Sequence, residues 1–336
     1  MNNKERYWKY SLVIIILVMG VVIFRQISPF LGGLLGALTI YILVRSQMIY
    51  LTEKRNMKRS LSALLITGET ILVFLLPVGL TVWLLVNKFQ DVNLSPHSYI
   101  APIQQTATLI KEKTGYDVLG SDTLSFIASF LTRIGQTLMS GISSLTVNLG
   151  VMIFVLYFML TGGRKMEAYI SSILPFNEIN AQNVIHEINM IVRSNAIGIP
   201  LLAVIQGGVA MLGYLIFGAP NIWLLGLLTC FTTVIPMVGT ALVWIPVAAY
   251  FALNANWFSA IGMLLFGGLI ISQLDNLIRF ILQKKMADIH PLITIFGVVI
   301  GLPLFGFMGI IFGPLLLSLF FLFVDMFKKE YLDTKV

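Results

Sequence analysis

The chain is 336 residues long, and its composition is that of a protein immersed in lipid. Hydrophobic residues make up 57% of it and charged residues only 11%, with a mean hydropathy of +0.91, whereas soluble domains carry about 25% charged residues. These values exclude a soluble protein and predict an all-α, polytopic transmembrane helical bundle that forms one domain over residues 1–336. The net charge of +7 sorts by membrane side, so the expected partner is the lipid bilayer and not nucleic acid.

Apolar runs recur along the whole chain, and a full membrane crossing needs ~20 residues. We predict about eight spans, two of them broken, at residues 10–24, 29–50, 60–87, 144–161, 195–217, 222–253, 257–283 and 291–327. Most basic residues in the intervening loops fall on the side of the two termini, the short loop 51–59 above all. Because positive residues favour the cytoplasm, we predict a multi-pass membrane protein with both termini cytoplasmic.

The single domain divides into four regions by span pattern. These are N-terminal spans over 1–87, a long outside amphipathic helix and the fourth span over 88–161, a cytoplasmic amphipathic segment over 162–195, and a transport core over 196–327. In the outside segment, apolar residues recur every three or four positions from Leu124 to Leu145, which is one apolar helix face. This face needs a partner, and its own subunit, the membrane surface and another subunit are all open.

Two apolar stretches of the transport core are interrupted at their centres. One, Ile222 to Leu253, is broken at Pro236-Met237-Val238-Gly239, and the other, Pro291 to Leu322, at Pro303-Leu304-Phe305-Gly306. Each is too long for one plain span and too short for two. Paired Pro/Gly-broken segments point to a solute site in a membrane protein. By parity, the first should enter from outside and the second from inside, as two opposed re-entrant hairpins.

Few ionisable groups are predicted at membrane depth, and Asp275 and Arg279 on span 257–283 are the exceptions. Spaced by four residues, they can pair along one helix face. Either the pair is structural, or Asp275 or the adjacent Asn276 coordinates a solute or a proton. With the breaks and nearby polar groups, the predicted transport path comprises Gln206, Pro236, Gly239, Thr240, Asp275, Asn276, Arg279, Pro303 and Gly306.

Gating or hinge positions are predicted near the second broken segment. His290 titrates near neutral pH when unperturbed and precedes Pro291, so it either gates proton coupling or anchors a helix start. The small residues Gly301, Gly306, Gly309 and Gly313 either let helices approach closely or act as hinges.

No catalytic constellation is found in the sequence, which contains no HExxH, GxSxG or GxxxxGK[ST] motif. We therefore predict neither an enzyme nor a nucleotide-driven pump. One cysteine, Cys230, and three scattered histidines predict no internal disulfide and no metal cluster, and no cofactor is expected.

Two sequence blocks resemble the autoinducer-2 exporter family of bacterial membrane proteins. The first, Val234-Ile-Pro-Met-Val-Gly-Thr240, looks like the Ile-Pro-x-x-Gly block of that family. The second runs from Asp275-Asn-Leu-Ile-Arg279 through His290-Pro291 to Gly306-Phe-Met-Gly309 and Gly313-Pro314. Departures occur at Phe280, where many relatives have proline one residue after the Arg279 position, and at Ala287-Asp288, where many have glycine. These departures bear on substrate detail and not on membership.

The resemblance implies a multi-span transporter of the bacterial inner membrane that assembles as a homo-oligomer, a pentamer in this family, with a mobile unit built on the broken helices. For some members it implies export of small polar signalling molecules and for others sodium/proton exchange. We predict an exporter of a small polar solute. A sodium(lithium)/proton antiporter that uses Asp275 is the first alternative, although Arg279 would hold that carboxylate ionised. A non-transporting scaffold that binds partners through residues 123–145 is the second.

Overall fold

The computed structural model describes residues 3–76, 79–80, 83, 144, 146–169, 172, 178–233, 235, 238–274, 276–278 and 291–328. All regular elements in these ranges are helical, which confirms the all-α prediction. The helices are α1 (Asn3–Ile27), α2 (Leu31–Ile49), α3 (Arg59–Thr70), α4 (Thr146–Tyr169), α5 (Glu178–Ile216), α6 (Ile222–Thr232), α7 (Ala241–Leu253), α8 (Trp257–Leu265), α9 (Pro291–Phe305) and α10 (Gly309–Phe327). Tight 3-10 turns lie at Ser28–Phe30 and Gly306–Met308, and wide π-helical turns at Tyr50–Lys54, Ile71–Leu75 and Phe266–Ile271.

Five helical stretches among the described residues are long and apolar enough to cross a membrane. They are Tyr7–Lys54, Thr146–Tyr169, Asn180–Ile216, Trp257–Ile278 and Leu292–Phe327. The first contains a turn at Pro29 and the last a turn at Gly306–Met308, so each holds two helices. The predicted outside segment 88–143 lies outside the described residues.

The helices α2, α3 and α4 share one apolar core. Its buried members include Ala37 and Tyr41 of α2, Ile66 of α3 and Leu156 of α4. Glycines at the start of α2 bring the start of α4 very close: an added Cβ on Gly33 would lie 2.9 Å from the Cβ of Val151. Farther along both helices, Arg45 meets Glu167. The two helices therefore run parallel.

Ion pairs hold the far ends of α2 and α4 together. The Arg45 guanidinium donates to both carboxylate oxygens of Glu167, at 2.6 and 2.8 Å, and the Tyr41 hydroxyl donates to the same carboxylate at 2.7 Å. A second pair joins Arg164 to Glu53 in the π-helical turn after α2. Bidentate arginine–carboxylate geometry is specific as well as attractive, so these contacts fix the rotation of α4 on α2.

A side chain from α4 caps the start of α2. The first N–H groups of a helix have no intrahelical partner, and Phe30 at the N-cap supplies no side-chain bond. Instead the Gly33 N–H donates to Asn148 Oδ1 at 2.6 Å, while Asn148 Nδ2 donates to the Pro29 carbonyl at 3.1 Å. The single side-chain amide of Asn148 thus bonds a backbone N–H and a backbone carbonyl at the turn around Pro29, and it fixes the direction of α1.

Replacing Asn148 with alanine should lower stability by about 1–2 kcal/mol. The N–H of the buried Gly33 would lose its acceptor, and an unmade hydrogen bond of a buried group costs about 1–3 kcal/mol. Heating the purified protein in detergent and measuring the folded fraction by size exclusion would show the loss. The control is Asn254→Ala, since Asn254 is exposed and, among the described residues, its Nδ2 bonds the Tyr250 carbonyl of its own helix turn. Equal thermal midpoints for the two variants would contradict the capping role.

Candidate functional site

The first broken segment folds back on itself as a hairpin, which we call hairpin 1 (residues 222–253, α6 and α7). Its helices have 11 and 13 residues, about 16 and 20 Å at 1.5 Å per residue, and neither crosses ~30 Å of hydrocarbon. The helix before it and the helix after it meet side by side, because Phe217 packs on Gly262 and rings of Phe217 and Phe266 lie 6.1 Å apart. Hairpin 1 therefore enters and leaves at the same end of the molecule.

Hairpin 1 lies between α5 and α8. Gly207 of α5 packs against Cys230 of α6, and Gly226 of α6 against Met211 of α5, so these two helices are antiparallel. On the other side, an added Cβ on Gly267 would lie 2.6 and 2.8 Å from atoms of the Trp244 ring of α7. Glycines on both flanking helices, which have no side chain, thus leave the space that hairpin 1 occupies.

The turn of hairpin 1 accepts only glycine at its centre. Residues 233–240 separate the two helices, and the Gly239 N–H donates to the Ile235 carbonyl at 3.0 Å. An added Cβ on Gly239 would lie 2.6 Å from the Ile235 carbonyl oxygen and 2.6 Å from the Thr232 carbonyl carbon. The predicted break at Gly239 is confirmed, and the adjacent Thr240 is buried.

The second broken segment is also a hairpin, which we call hairpin 2 (residues 291–327, α9 and α10). Its helices touch backbone to backbone: an added Cβ on Gly301 would lie 2.7 Å from the Gly313 Cα, and one on Gly297 would lie 2.5 Å from the Pro314 Cα. Gly301 also packs against Gly309. The pairing of 297 with 313 and 301 with 309 is antiparallel, and these glycines let α9 and α10 pack closely.

The turn of hairpin 2 comes slightly later than the sequence predicts. Pro303 lies inside α9, and the helix ends only at Phe305. Gly306 then adopts a φ of +59°, a left-handed conformation that glycine adopts without strain. Pro303 and Gly306 are exposed on this turn, and Pro291 begins α9.

The turns of both hairpins approach the same part of α5. The Thr233 hydroxyl in hairpin 1 donates to the side-chain oxygen of Gln206. In hairpin 2, Val298 and Ile310 pack with Ile199. Seven residues separate the two contact points on α5, about 10 Å of helix axis, and the helix-breaking Pro200 lies between them. The predicted opposed arrangement of two hairpins is thus what these contacts describe.

Buried hydrogen bonds between side chains fasten hairpin 1 to α5. Gln206 is 0% exposed and Thr233 1% exposed. One turn of α6 earlier, the hydroxyls of Tyr214 and Thr229 lie 3.0 Å apart, and both residues are 0% exposed. Polar side chains that bond across helices hold membrane helices together, so α5 and hairpin 1 form one packed unit.

Asn276 lies on the helix that continues α8 past a π-helical turn. Phe217 pairs with Gly262 and Gly213 with Phe266, so α5 and α8 are antiparallel. Continuing this pairing along the same helix brings Asn276 to the level of the turn of hairpin 1. Its side chain is exposed. Four of the predicted residues, Pro236, Asp275, Arg279 and His290, lie outside the described residues.

One charged residue within a predicted span was not among the predicted site residues. Glu69 lies ten residues into the apolar α3, about 15 Å along the helix axis, and it is the one acidic residue of the predicted span 60–87. This single acidic residue in an apolar span was the feature of the sequence that could have identified it. Gln47 of α2 donates to its Oε1 at 3.4 Å.

Comparison with known proteins gives a consistent assignment. The model of a family described as AI-2E family transporter matches residues 12–329. The chain is 30% identical over 173 residues to a Treponema pallidum protein named "Putative transport protein", covering 52% of this chain and 43% of that one. It is 26% identical to an Aquifex aeolicus protein of the same name, covering 63% and 61%.

A third relative matches along most of both chains. The Escherichia coli K12 protein "Putative transport protein YdiK" is 23% identical over 332 residues, which is 91% of this chain and 86% of that protein. The chain spans about half the length of the Treponema and Aquifex proteins but nearly all of this one. With a family model that covers nearly every residue and an all-helical membrane fold, the chain belongs to the AI-2E family of membrane transporters.

Proposed function

We propose that the protein exports a small polar solute across the bacterial inner membrane, through a site formed where the two hairpin turns meet α5. The observation that carries this proposal is the approach of both turns to one short stretch of α5, at Ile199 and Gln206. Each turn ends one helix and starts another, and hydrocarbon cannot satisfy the backbone groups exposed there. A water-filled cavity that admits a solute would satisfy them.

The chemistry of the two turns favours a solute rich in oxygen atoms. The helices α7 and α10 both begin there, and within the described residues the N-cap residues Thr240 and Met308 give no side-chain cap. Helix starts carry partial positive charge and attract carbonyl, hydroxyl or carboxylate oxygens. Thr240 and Asn276 add a hydroxyl and an amide at the level of the turn of hairpin 1. The remaining predicted path residues, Asp275 and Arg279 among them, belong to the same proposal.

The proposal includes orientation and assembly. Both termini are cytoplasmic, hairpin 1 opens outward and hairpin 2 opens inward. The parallel α2 and α4, and the return of hairpin 1 to its own side, support this count of crossings. The unit is a homo-oligomer, pentameric as the family resemblance implies, in which each protomer carries its own pair of hairpins.

Replacing Asn276 with alanine, or Thr240 with valine, should lower solute flux at least about tenfold while leaving the fold intact. Each change removes one polar contact, and losing a hydrogen bond to a bound polar group costs about 1.5 kcal/mol, which is roughly tenfold in affinity. The measurement is efflux of radiolabelled three- to six-carbon polyols, sugars and hydroxyketones from proteoliposomes. Asn254→Ala is the matched control, because this exposed asparagine lies at the far end of α7.

Three outcomes separate the alternatives. Saturable flux of one solute that falls in both variants supports the exporter. A change in vesicle pH on adding Na⁺ or Li⁺, with no solute flux, would favour the antiporter instead. Absence of both fluxes in correctly folded wild-type protein would leave the scaffold hypothesis standing and sink the exporter.

A further inference from the structure

An open cavity between α2 and α3, with both polar and apolar walls, is separate from both hairpins. Its volume is about 350 Å³, and it is lined by Ser46, Gln47, Tyr50, Leu51, Ile66 and Glu69. The two π-helical turns Tyr50–Lys54 and Ile71–Leu75 flank it, one contributing Tyr50 and Leu51 to the wall and the other starting two residues after Glu69. Such wide turns occur frequently at functional sites.

The carboxylate of Glu69 has no cation of its own within the described part of the chain. Its one hydrogen bond there comes from the neutral Gln47 amide and is long, at 3.4 Å. Arg45, one turn away on α2, is held by Glu167 through both of its donors. The Lys54 ammonium lies over the Tyr50 ring, 5.6 Å from its centroid. An acidic side chain at membrane depth is costly unless it faces a polar cavity or a partner of opposite charge.

The size and lining of the cavity indicate the kind of cation. At about 30 Å³ per water molecule, 350 Å³ is the volume of roughly ten waters, far more than one metal ion fills. One carboxylate, one amide and one hydroxyl of the lining can accept hydrogen bonds from an ammonium group. Leu51 and Ile66 offer an apolar wall to a hydrocarbon stem.

We propose that the α2–α3 cavity binds a primary ammonium group on an apolar stem, with Glu69 as its counter-ion and Ser46 and Gln47 as hydrogen-bond acceptors. The ligand is either a soluble amine that enters from the loop side of α3 or the amine headgroup of a membrane lipid. The site is independent of solute export, because none of its residues belongs to α5 or to the hairpins.

The test is equilibrium binding of radiolabelled n-hexylammonium to the purified full chain in a maltoside detergent. We expect saturable binding with one site per chain, and at least about tenfold weaker binding by Glu69→Gln. Asp325→Asn removes an exposed carboxylate of α10 and should bind as the wild type does. Leu51→Trp fills the cavity with Glu69 intact and should abolish binding. Thermal midpoints and elution profiles of all variants show whether they are folded.

A second arm distinguishes the two sources. If the ligand is a lipid amine, hexylammonium binding should be weaker in nanodiscs of phosphatidylethanolamine than in nanodiscs of phosphatidylcholine. Equal binding in the two lipids points to a soluble amine. Each result supports the site. Equal affinities of wild type and folded Glu69→Gln would overturn it. Binding of uncharged hexan-1-ol with the same affinity as hexylammonium would also overturn it. The same holds if hexylammonium fails to bind while the Glu69→Cys variant cross-links to a second copy of the chain.

Discussion

Replacing Gly301 with alanine should open hairpin 2 and abolish transport. An added Cβ would press on the Gly309 carbonyl and lie 2.7 Å from the Gly313 Cα. Both obstacles are backbone, which cannot rotate away as a side chain can. Overpacking typically costs about 1–3 kcal/mol where side chains can adjust, and here we expect at least about 3 kcal/mol. Thermal denaturation in detergent and solute efflux from proteoliposomes should both show the loss.

The matched control for this prediction is Gly208→Ala. Gly208 is also a helical glycine of the transport core, but an added Cβ there meets no atom within 4 Å. Alanine is the better helix former by about 1 kcal/mol, so this variant should be as stable as the wild type or slightly more so. If Gly301→Ala were as stable and as active as Gly208→Ala, the tight backbone contact of α9 with α10 would not be required.

The existence of both hairpins could be predicted from the sequence, because segment length and helix breakers are local properties. A stretch of about 32 residues with Pro and Gly at its centre has few ways to cross a membrane. The exact position of the turn in hairpin 2 was harder to predict, because Pro303 suggested a break and yet α9 continues to Phe305. A proline only weakens a helix in a bundle, where neighbouring groups can replace the lost bond, while Gly306 supplies the positive φ that the turn uses.

Contacts between distant segments could not be predicted in the same way. Nothing local in Asn148 shows that its amide bonds the backbone at Pro29 and Gly33, more than a hundred residues away. The pairing of Gln206 with Thr233 likewise depends on how α6 folds back on α5. Glu69 was different, because a lone acid in an apolar span is visible in the sequence; only its cavity required the structure.

The two hairpins are attached to α5 by different interactions. Hairpin 1 is held by buried hydrogen bonds, one between Thr229 and Tyr214 and one between Thr233 and Gln206. Hairpin 2 packs on α5 through an apolar cluster that contains Ile191, Val192 and Phe312, and the Ser318 hydroxyl donates to Glu187 Oε1 at 3.1 Å. Hydrogen bonds are directional and fix one geometry, whereas apolar contacts tolerate sliding. We therefore expect changes in the polar contacts of hairpin 1 to affect the site more sharply than conservative changes at the apolar contacts of hairpin 2.

Breaking the contact between Gln206 and Thr233 should lower stability by about 1–3 kcal/mol and reduce transport, because hairpin 1 would lose the bond nearest its turn. Thr233→Val keeps the shape of the side chain and removes its hydroxyl, so the buried Gln206 amide loses one partner, and an unmade bond in this setting costs that much. Gln206→Leu removes the other side. The measurements are thermal denaturation in detergent and solute efflux from proteoliposomes for each variant.

The double variant tests whether the two side chains act as a pair. If they bond to each other, Gln206→Leu with Thr233→Val should cost about 1 kcal/mol less than the sum of the single changes, as contacting residues show in double-mutant cycles. The control cycle combines Thr233→Val with Tyr214→Phe, which removes the hydroxyl that bonds Thr229 on the same helix interface. Those two changes affect different bonds and should add. Additive effects of Gln206→Leu and Thr233→Val would show that the turn of hairpin 1 is held by other contacts, and the site would then have to be built from the backbone of the turns alone.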